Sequence, residues 1–175
     1  MSRLAAVFVL AAAVLAPAIL AQAPQSTIPT ITSAVPACLP STTLEELTKA
    51  LDDAVSGPGD KDRTCLRQLM SPDVRLVLMS ANGPRLFTLD DWINAMQKRG
   101  STALFERQIK IKTEAFGRIA HLWCTYEIRP TADGKATTRG INSIQAIFNG
   151  QSWRVINVMW QAETPTEPIP EKYLP

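Results

Sequence analysis

The sequence contains few of the residues from which metal sites and nucleophilic sites are usually built. It has one histidine and three cysteines in 175 residues, which are too few and too scattered for a zinc signature. Basic residues form no run of four, and the formal net charge is only +2, so nothing favours a nucleic-acid partner. P-loop, GxGxxG, GxSxG and HExxH patterns are also missing. The composition therefore predicts no metal, no organic cofactor and no nucleic-acid binding.

The first residues have the pattern of an export signal. A short positive start ends at Arg3, residues 4–15 are wholly apolar, and residues 21–23 (Ala-Gln-Ala) form a small-x-small cleavage site. We predict a signal peptide over residues 1–23, and therefore a secreted or periplasmic protein with no stable membrane anchor after cleavage. The alternative is an uncleaved membrane span, because the apolar stretch is just long enough. Pro17 and the lack of a following basic cluster argue against that alternative.

The three cysteines allow one disulfide bond, which export would permit. Cys38 precedes the first predicted helix and Cys65 lies in the second. A bond between them would fix the N-terminal arm to the domain and contribute on the order of 3 kcal/mol. Cys124 then remains in an apolar strand, where a buried thiol is expected.

Proline marks the two ends of the folded region. Residues 24–40 contain four prolines and many serines and threonines, which predicts an extended linker. Residues 162–175 contain four more and are predicted to form an extended tail. The folded domain is therefore expected over residues 41–161.

Between these ends the sequence predicts three helices and six strands. Helices are expected to begin near Thr43, which forms a capping box with Glu46, near residue 61, and near Thr88. Strands are expected where apolar residues alternate or where turn signals bound an apolar run: 74–80, 85–87, 105–115, 118–129, 137–148 and 153–161. This order predicts an α+β fold, in which the helices pack on a strongly curved antiparallel sheet to give a cone-shaped α+β barrel.

Four segments give this order of elements a resemblance to a known superfamily. They are residues 69–74 (LMSPDV), 116–123 (FGRIAHLW), 139–143 (RGINS) and 149–155 (NGQSWRV). In this order they resemble a helix-to-strand junction and three strand starts of the nuclear transport factor 2-like superfamily, which includes SnoaL-like and ketosteroid isomerase-like proteins. The resemblance covers roughly residues 41–161 and implies a conical domain with one pocket, often dimeric through its sheet. It implies no single activity, because the superfamily holds both enzymes and binding modules.

His121 and Glu127 are the candidate catalytic residues. An imidazole exchanges a proton near neutral pH, and both side chains lie on the same face of the strand predicted over residues 118–129. They would be roughly 20 Å apart along that strand, so each would need another partner. The alternative is that His121 is a hydrogen-bonded core or interface residue. The spacing leaves open which face of the strand lines the cone.

Eight further residues are candidates for ligand binding. Aromatic rings supply apolar area suited to a pocket, an arginine can hold a carboxylate, and an asparagine can form hydrogen bonds. The candidates are Trp92, Phe105, Arg107, Trp123, Tyr126, Arg139, Asn142 and Trp160. Core packing is the plainer alternative for the aromatic residues, and a salt bridge at the rim is the alternative for the arginines.

Two expectations place acidic residues in solvent. Alternation over residues 105–115 puts Phe105 and Arg107 on the covered face of that strand, and Glu106 and Gln108 on the wet face. Asp52 lies on the first helix, where a solvated position is expected.

The sequence predicts an exported domain that binds a small apolar ligand or a protein partner in its conical pocket and dimerises through its sheet. This expectation follows from an apolar, aromatic-rich cone without an evident acid–base pair. The alternative is a SnoaL-like lyase, isomerase or cyclase that needs no cofactor and uses His121 as its general acid or base. The sequence alone leaves both the enzyme and the binding module open.

Overall fold

The computed structural model describes residues 37–175. The predicted signal peptide and most of the predicted linker lie outside the described residues. Within residues 37–175, no helix has the length and apolar character needed to cross a membrane.

Three helices and seven strands make up the part of the chain that the structure describes, together with one 3₁₀ turn at Glu171–Tyr173. The helices are α1 (Leu44–Val55), α2 (Thr64–Leu69) and α3 (Leu89–Gln97). The strands are β1 (Gly57–Pro58), β2 (Met70–Ser80), β3 (Gly83–Phe87), β4 (Ala103–Phe116), β5 (Ile119–Arg129), β6 (Thr138–Phe148) and β7 (Trp153–Ala162). They form one sheet in the order β1-β4-β5-β6-β7-β2-β3.

The sheet is mixed, whereas an antiparallel sheet was expected. Strands β2 and β7 run parallel, and the other neighbouring pairs run antiparallel. The expectation came from tight turns, which join β2 to β3, β4 to β5 and β6 to β7. Strands β2 and β7 are instead linked by a long stretch of chain, and such a connection permits parallel pairing. The predicted α+β class is confirmed.

Local signals in the sequence set the helix starts. Thr43 caps α1 through a capping box with Glu46, and Thr88 caps α3 through a second box with Asp91. Helix α2 begins three residues later than predicted, because the carboxylate of Asp62 accepts the backbone N–H of Thr64 at 2.8 Å and holds the chain in a turn.

A buried arginine caps the C-terminal end of α1. Arg63 is 3% exposed, and its guanidinium donates to the carbonyl oxygens of Ala54 (2.7 Å), Ser56 (3.2 Å) and Pro58 (2.7 Å). The last carbonyl groups of a helix lack hydrogen-bond partners within the helix. Arg63 supplies donors at this end and so fixes the chain that leads into β1.

The helices cover one face of the sheet, which we call the inner face. Its side chains pack with the apolar stripes of the helices into a single core, in which Leu47, Leu66, Leu76, Leu122 and Val155 are almost fully buried. Side chains alternate between the two faces of a strand, so the neighbours of the inner residues point to the opposite, outer face.

The C-terminal tail lies across the outer face. The ring of Tyr173 packs on Trp123 at 5.7 Å between centroids, and its carbonyl accepts the hydroxyl of Thr125. Lys110 donates to the carbonyl of Leu174, and Ile169 is buried. The tail is therefore docked on the sheet through several contacts.

The cysteines adopt the predicted arrangement. Cys38 and Cys65 are joined by a disulfide bond, which ties the start of the described chain to α2. Cys124 is a free, fully buried thiol on the inner face, and burial raises the pKa of this thiol to about 12.

Candidate functional site

A cavity of about 170 Å³ lies between the helices and the inner face of the sheet. Most of its wall is apolar. Helices α1 and α3 contribute Leu51 and Met96, and the sheet contributes Ile144 and Val158. Predominantly apolar walls favour a ligand that buries carbon surface.

Two tryptophan rings form part of the cavity wall. Trp92 on α3 and Trp160 on β7 are tilted against each other at 6.1 Å between centroids. Phe87 also stacks on Trp160, at 6.2 Å between centroids. These contacts fix the ring of Trp160, so this part of the wall is preformed.

A carboxyl group forms the polar end of the cavity. Glu106 on β4 lines the wall, and its Oε1 accepts hydrogen bonds from Asn142 Nδ2 at 3.0 Å and Gln108 Nε2 at 3.1 Å. Burial raises the pKa of Glu106 to about 7, and the nearby charge of Asp52 adds to the increase. At neutral pH this group can therefore either give or take a proton.

Asp52 is a second carboxylate close to this end. Its Oδ2 accepts the backbone N–H of Gln108 at 3.0 Å, while its Oδ1 is buried without a partner among residues 37–175. Burial raises the pKa of Asp52 to about 6. Gln108 thus joins the two acids, since its backbone binds one and its side chain binds the other.

Tyr126 completes the polar end. Its ring is 3% exposed and lines the cavity, and burial, followed by the charge of Glu106, raises the pKa of its phenol. The ring lies directly over Gly140 on β6, where a Cβ atom would stand 2.4 Å from the tyrosine hydroxyl. Glycine at this position therefore makes room for the phenol.

Four of the eight predicted ligand-binding residues line the cavity: Trp92, Tyr126, Asn142 and Trp160. The other four do not line it. Trp123 lies on the outer face beneath the tail. Arg139 also lies on the outer face, where its Nε is 2.7 Å from Oε1 of Glu163. Phe105 and Arg107 lie on the side of β4 opposite to Glu106.

His121 and Glu127, the predicted catalytic residues, also lie on the outer face. His121 Nε2 is 3.0 Å from the hydroxyl of Ser143, and Glu127 forms an ion pair with Arg129 at 2.6 Å. The inner face of β5 instead presents the neighbours of His121, with Tyr126 and Ile128 in the cavity wall. A proton transfer inside the cavity therefore cannot use His121.

A β-bulge explains why the acids were expected in solvent. Gln108 pairs with Tyr126 and Lys110 with Thr125, so Ile109 is an extra residue in β4. Before the bulge Glu106 faces inwards, whereas after it the charged side chains face outwards. The single alternation expected over residues 105–115 is therefore wrong, and Phe105 and Arg107 do not share the face of the later apolar residues.

The solvated position expected for Asp52 is also wrong. Asp52 lies one turn from Thr48 and one turn from Val55, and both are buried. This helical spacing places Asp52 at the edge of the buried stripe, a signal that was available in the sequence.

No three His, Cys, Asp or Glu side chains in residues 37–175 are grouped so that they could hold a metal ion.

Comparisons with known proteins identify the fold. No protein-family model matches the sequence, and no curated protein matches it. Among solved structures, it is similar to an NTF-2 like protein of unknown function from Silicibacter pomeroyi, with 19% identity, a TM-score of 0.52, and coverage of 69% of this chain and 92% of that one.

Two further structures have the same architecture. A protein of unknown function with a cystatin-like fold from Nostoc punctiforme has 13% identity, a TM-score of 0.56, and coverage of 70% of this chain and 90% of that one. A candidate ketosteroid isomerase from Parabacteroides distasonis has 15% identity, a TM-score of 0.51, and coverage of 74% and 98%. At these identities the likeness concerns the fold. The domain therefore has the nuclear transport factor 2-like fold that the four sequence segments predict.

Proposed function

We propose that the domain binds a small, largely apolar molecule that carries one hydrogen-bonding group. The observation that supports this proposal is a cavity of about 170 Å³ whose walls are mostly apolar and which has a polar group of side chains that includes Glu106, Tyr126 and Asn142. Cavities of about 150 Å³ take up single aromatic rings such as benzene. Apolar walls with a few fixed polar groups are typical of small-molecule sites.

Filling the cavity tests this proposal. Val158 lines the cavity, and its neighbour Met159 points to the outer face. We expect acetophenone, benzyl alcohol or benzamide to change the tryptophan fluorescence in a saturable way. The V158F variant should weaken binding by about tenfold or more, and the matched M159F variant should bind normally. Equal affinity in both variants, or no saturable binding of any of the three probes, would contradict the proposal.

A second candidate function is proton transfer next to a carbonyl group. The observation that favours it is a carboxyl with a pKa of about 7 in the same cavity wall as the phenol of Tyr126. The carboxylate of Glu106 would take a proton from the carbon beside the carbonyl and return it to another carbon. The hydroxyl of Tyr126 would donate a hydrogen bond to the carbonyl oxygen as negative charge develops there.

Deuterium exchange separates the two functions. In D₂O, an enzyme of this kind should exchange the methyl protons of bound acetophenone, and NMR would follow their loss. The rate should rise through about pH 7, because the base must be ionised. The E106Q variant should abolish exchange, and E114Q, which changes an exposed carboxylate on the same strand, should not. Binding without exchange would contradict proton transfer and support a binding module.

We also propose that the protein is exported. The apolar leader and its small-x-small site support this proposal, as does the Cys38–Cys65 disulfide, because such bonds persist in oxidising compartments. Mass spectrometry of protein from the extracellular or periplasmic fraction should find an N-terminus at residue 24. An intact N-terminus in the cytosol would contradict export.

Self-association through the outer face is a further part of this proposal. Phe116 and Ile119 are 85% and 60% exposed, and they border a groove of about 470 Å³ that also contains Ile147 and Ile156. An apolar projection beside an apolar groove lets two copies fill each other's grooves around a two-fold axis. Light scattering should show a dimer that F116D dissociates and L86D, a change at exposed Leu86 on β3, does not. A monomeric wild-type protein would refute the dimer.

A further inference from the structure

Arg99 is held in place just after helix α3, at the wall of the cavity. Its backbone N–H donates to the carbonyl of Met96 at 3.0 Å, and the turn that follows pairs with the loop after β1. There the backbone N–H of Gly59 donates to the carbonyl oxygen of Thr102 at 3.2 Å, and the backbone N–H of Asp60 donates to the carbonyl oxygen of Gly100 at 3.0 Å. A Cβ atom at Gly59 would lie 2.4 Å from the Met96 carbonyl oxygen. The close approach of these two loops therefore depends on glycine.

Two of the three guanidinium nitrogens of Arg99 lack hydrogen-bond acceptors. Its Nε and Nη2 atoms are shielded from solvent and donate to no atom of residues 37–175, although the residue lines the cavity. Shielded N–H donors without a partner destabilise a fold. By contrast, the half-exposed Arg67 has a partner, Asp90, at 2.6 Å. This contrast marks Arg99 as a group that an additional acceptor would satisfy.

A second guanidinium adds positive charge close to Arg99. The pKa of Arg63 is lowered by burial and also by the charge of Arg99, so the two groups lie close enough to repel each other. Arg63 binds backbone carbonyls only, and no acidic side chain among the described residues forms an ion pair with either arginine. Two neighbouring cations without an anion favour the binding of a negative group.

We propose that the ligand of the cavity carries a carboxylate, which binds to Arg99. This inference rests on the proposed function, because it assigns the chemical class of the molecule in the same cavity. Nε and Nη2 form one edge of the guanidinium plane, and two parallel N–H donors of this kind match the two oxygens of a carboxylate. Because neither atom is accessible from the cavity in this structure, the side chain must turn this edge towards the ligand on binding.

The volume and the lining of the cavity determine the size and the apolar part of this ligand. Its volume of about 170 Å³ has room for a single ring or a short branched chain. Such a carbon skeleton would lie along Trp92 and Trp160, while a second polar group would meet Glu106. No ion pair joins Arg99 to Glu106, although both line the cavity. The ligand class is therefore a small aromatic or branched carboxylic acid.

Benzoate and benzamide provide a matched pair of probes, since they have nearly the same shape and differ in charge. By calorimetry at pH 7, the wild-type protein should bind benzoate at least about tenfold more tightly than benzamide, because a charge-assisted pair of hydrogen bonds is lost in the amide. The R99M variant should lose that preference and keep its affinity for benzamide. R99K keeps the charge but not the two-donor edge, so it should recover only part of the preference.

Controls separate failure of this inference from failure of the proposed function. R118M removes an exposed arginine on the β4–β5 turn and should leave both affinities unchanged. R99M without ligand should melt at or above the wild-type temperature, because two shielded N–H donors without partners are removed. Equal binding of the two probes by wild-type protein, unchanged by R99M, would overturn the carboxylate and leave the apolar site. Absence of binding for both probes would overturn the carboxylate as well as the proposed binding function.

Discussion

The ionisation of Glu106 should make the stability of the protein fall as the pH rises. Raising the pKa of this carboxyl from 4.5 to about 7 means that the folded state holds a proton that the unfolded state has released. Stability is therefore highest below pH 4.5 and is lost between that value and about pH 7. Over this range the loss corresponds to roughly 3 kcal/mol, at about 1.4 kcal/mol for each pKa unit.

The E106Q substitution isolates this contribution. Glutamine keeps an oxygen that can accept from Asn142 and Gln108, but it cannot ionise. At pH 4 the variant should be as stable as the wild-type protein, whereas at pH 8 it should be more stable by about 2–3 kcal/mol. For a domain of this size, that difference raises the melting temperature by about 6–12 °C.

Denaturant unfolding of both proteins at pH 4 and pH 8, followed by circular dichroism, measures the difference directly. Asp52, whose pKa is raised from 3.8 to about 6, causes a second loss of stability at lower pH, which the variant retains. E114Q is the matched control, because Glu114 is exposed and forms an ion pair with Lys112 at 3.0 Å. It should leave the stability at both pH values almost unchanged, because solvent screens an exposed ion pair. A stability difference for E106Q that is equal at both pH values would refute the buried, high-pKa carboxyl.

Three further substitutions test the framework of the site by denaturant unfolding. G140A would place a methyl group 2.3 Å from a backbone carbonyl oxygen of the neighbouring strand and should cost about 2–3 kcal/mol; a neutral effect would contradict the close packing. The C38S/C65S double variant should lose about 3 kcal/mol, and unchanged stability would show that the bond contributes nothing. R63M removes three hydrogen bonds to carbonyls and should cost about 2–4 kcal/mol, whereas the half-exposed control R67M should cost under about 1 kcal/mol. Equal losses in the two arginine variants would argue against the helix cap.

Most of the architecture could be predicted because its signals are local. The capping boxes at Thr43 and Thr88 mark two helix starts, because in each a threonine hydroxyl is followed three residues later by an acidic residue. Gly117 and Gly150, in the turns after β4 and β6, adopt left-handed φ values of 56° and 103°, which glycine tolerates best. The parallel pairing of β2 with β7 has no such local signal, since it depends on where a long connection returns.

The candidate site was harder to predict, because it depends on which face of each strand is inside. Tyr126, Asn142 and Trp160 were found by their chemistry alone, which does not depend on the face. Glu106 was missed because the bulge at Ile109 reverses the alternation within one strand, and nothing in the alternation of that strand reveals an extra residue. His121 was over-weighted because it is the sole histidine in the sequence, a property that carries no information about orientation.

The extra residue in β4 divides that strand into two halves that can change independently. Residues before Ile109 determine what the interior accepts, and residues after it determine the charge and shape of the surface on the opposite side. Deleting Ile109 would restore one-to-one pairing with β5 and leave Lys110, Lys112 and Glu114 on the outer face, opposite Thr125, Trp123 and His121. A mutational scan should therefore tolerate substitutions poorly at the even-numbered positions before Ile109, which face inwards, and freely at the even-numbered positions after it, which face outwards.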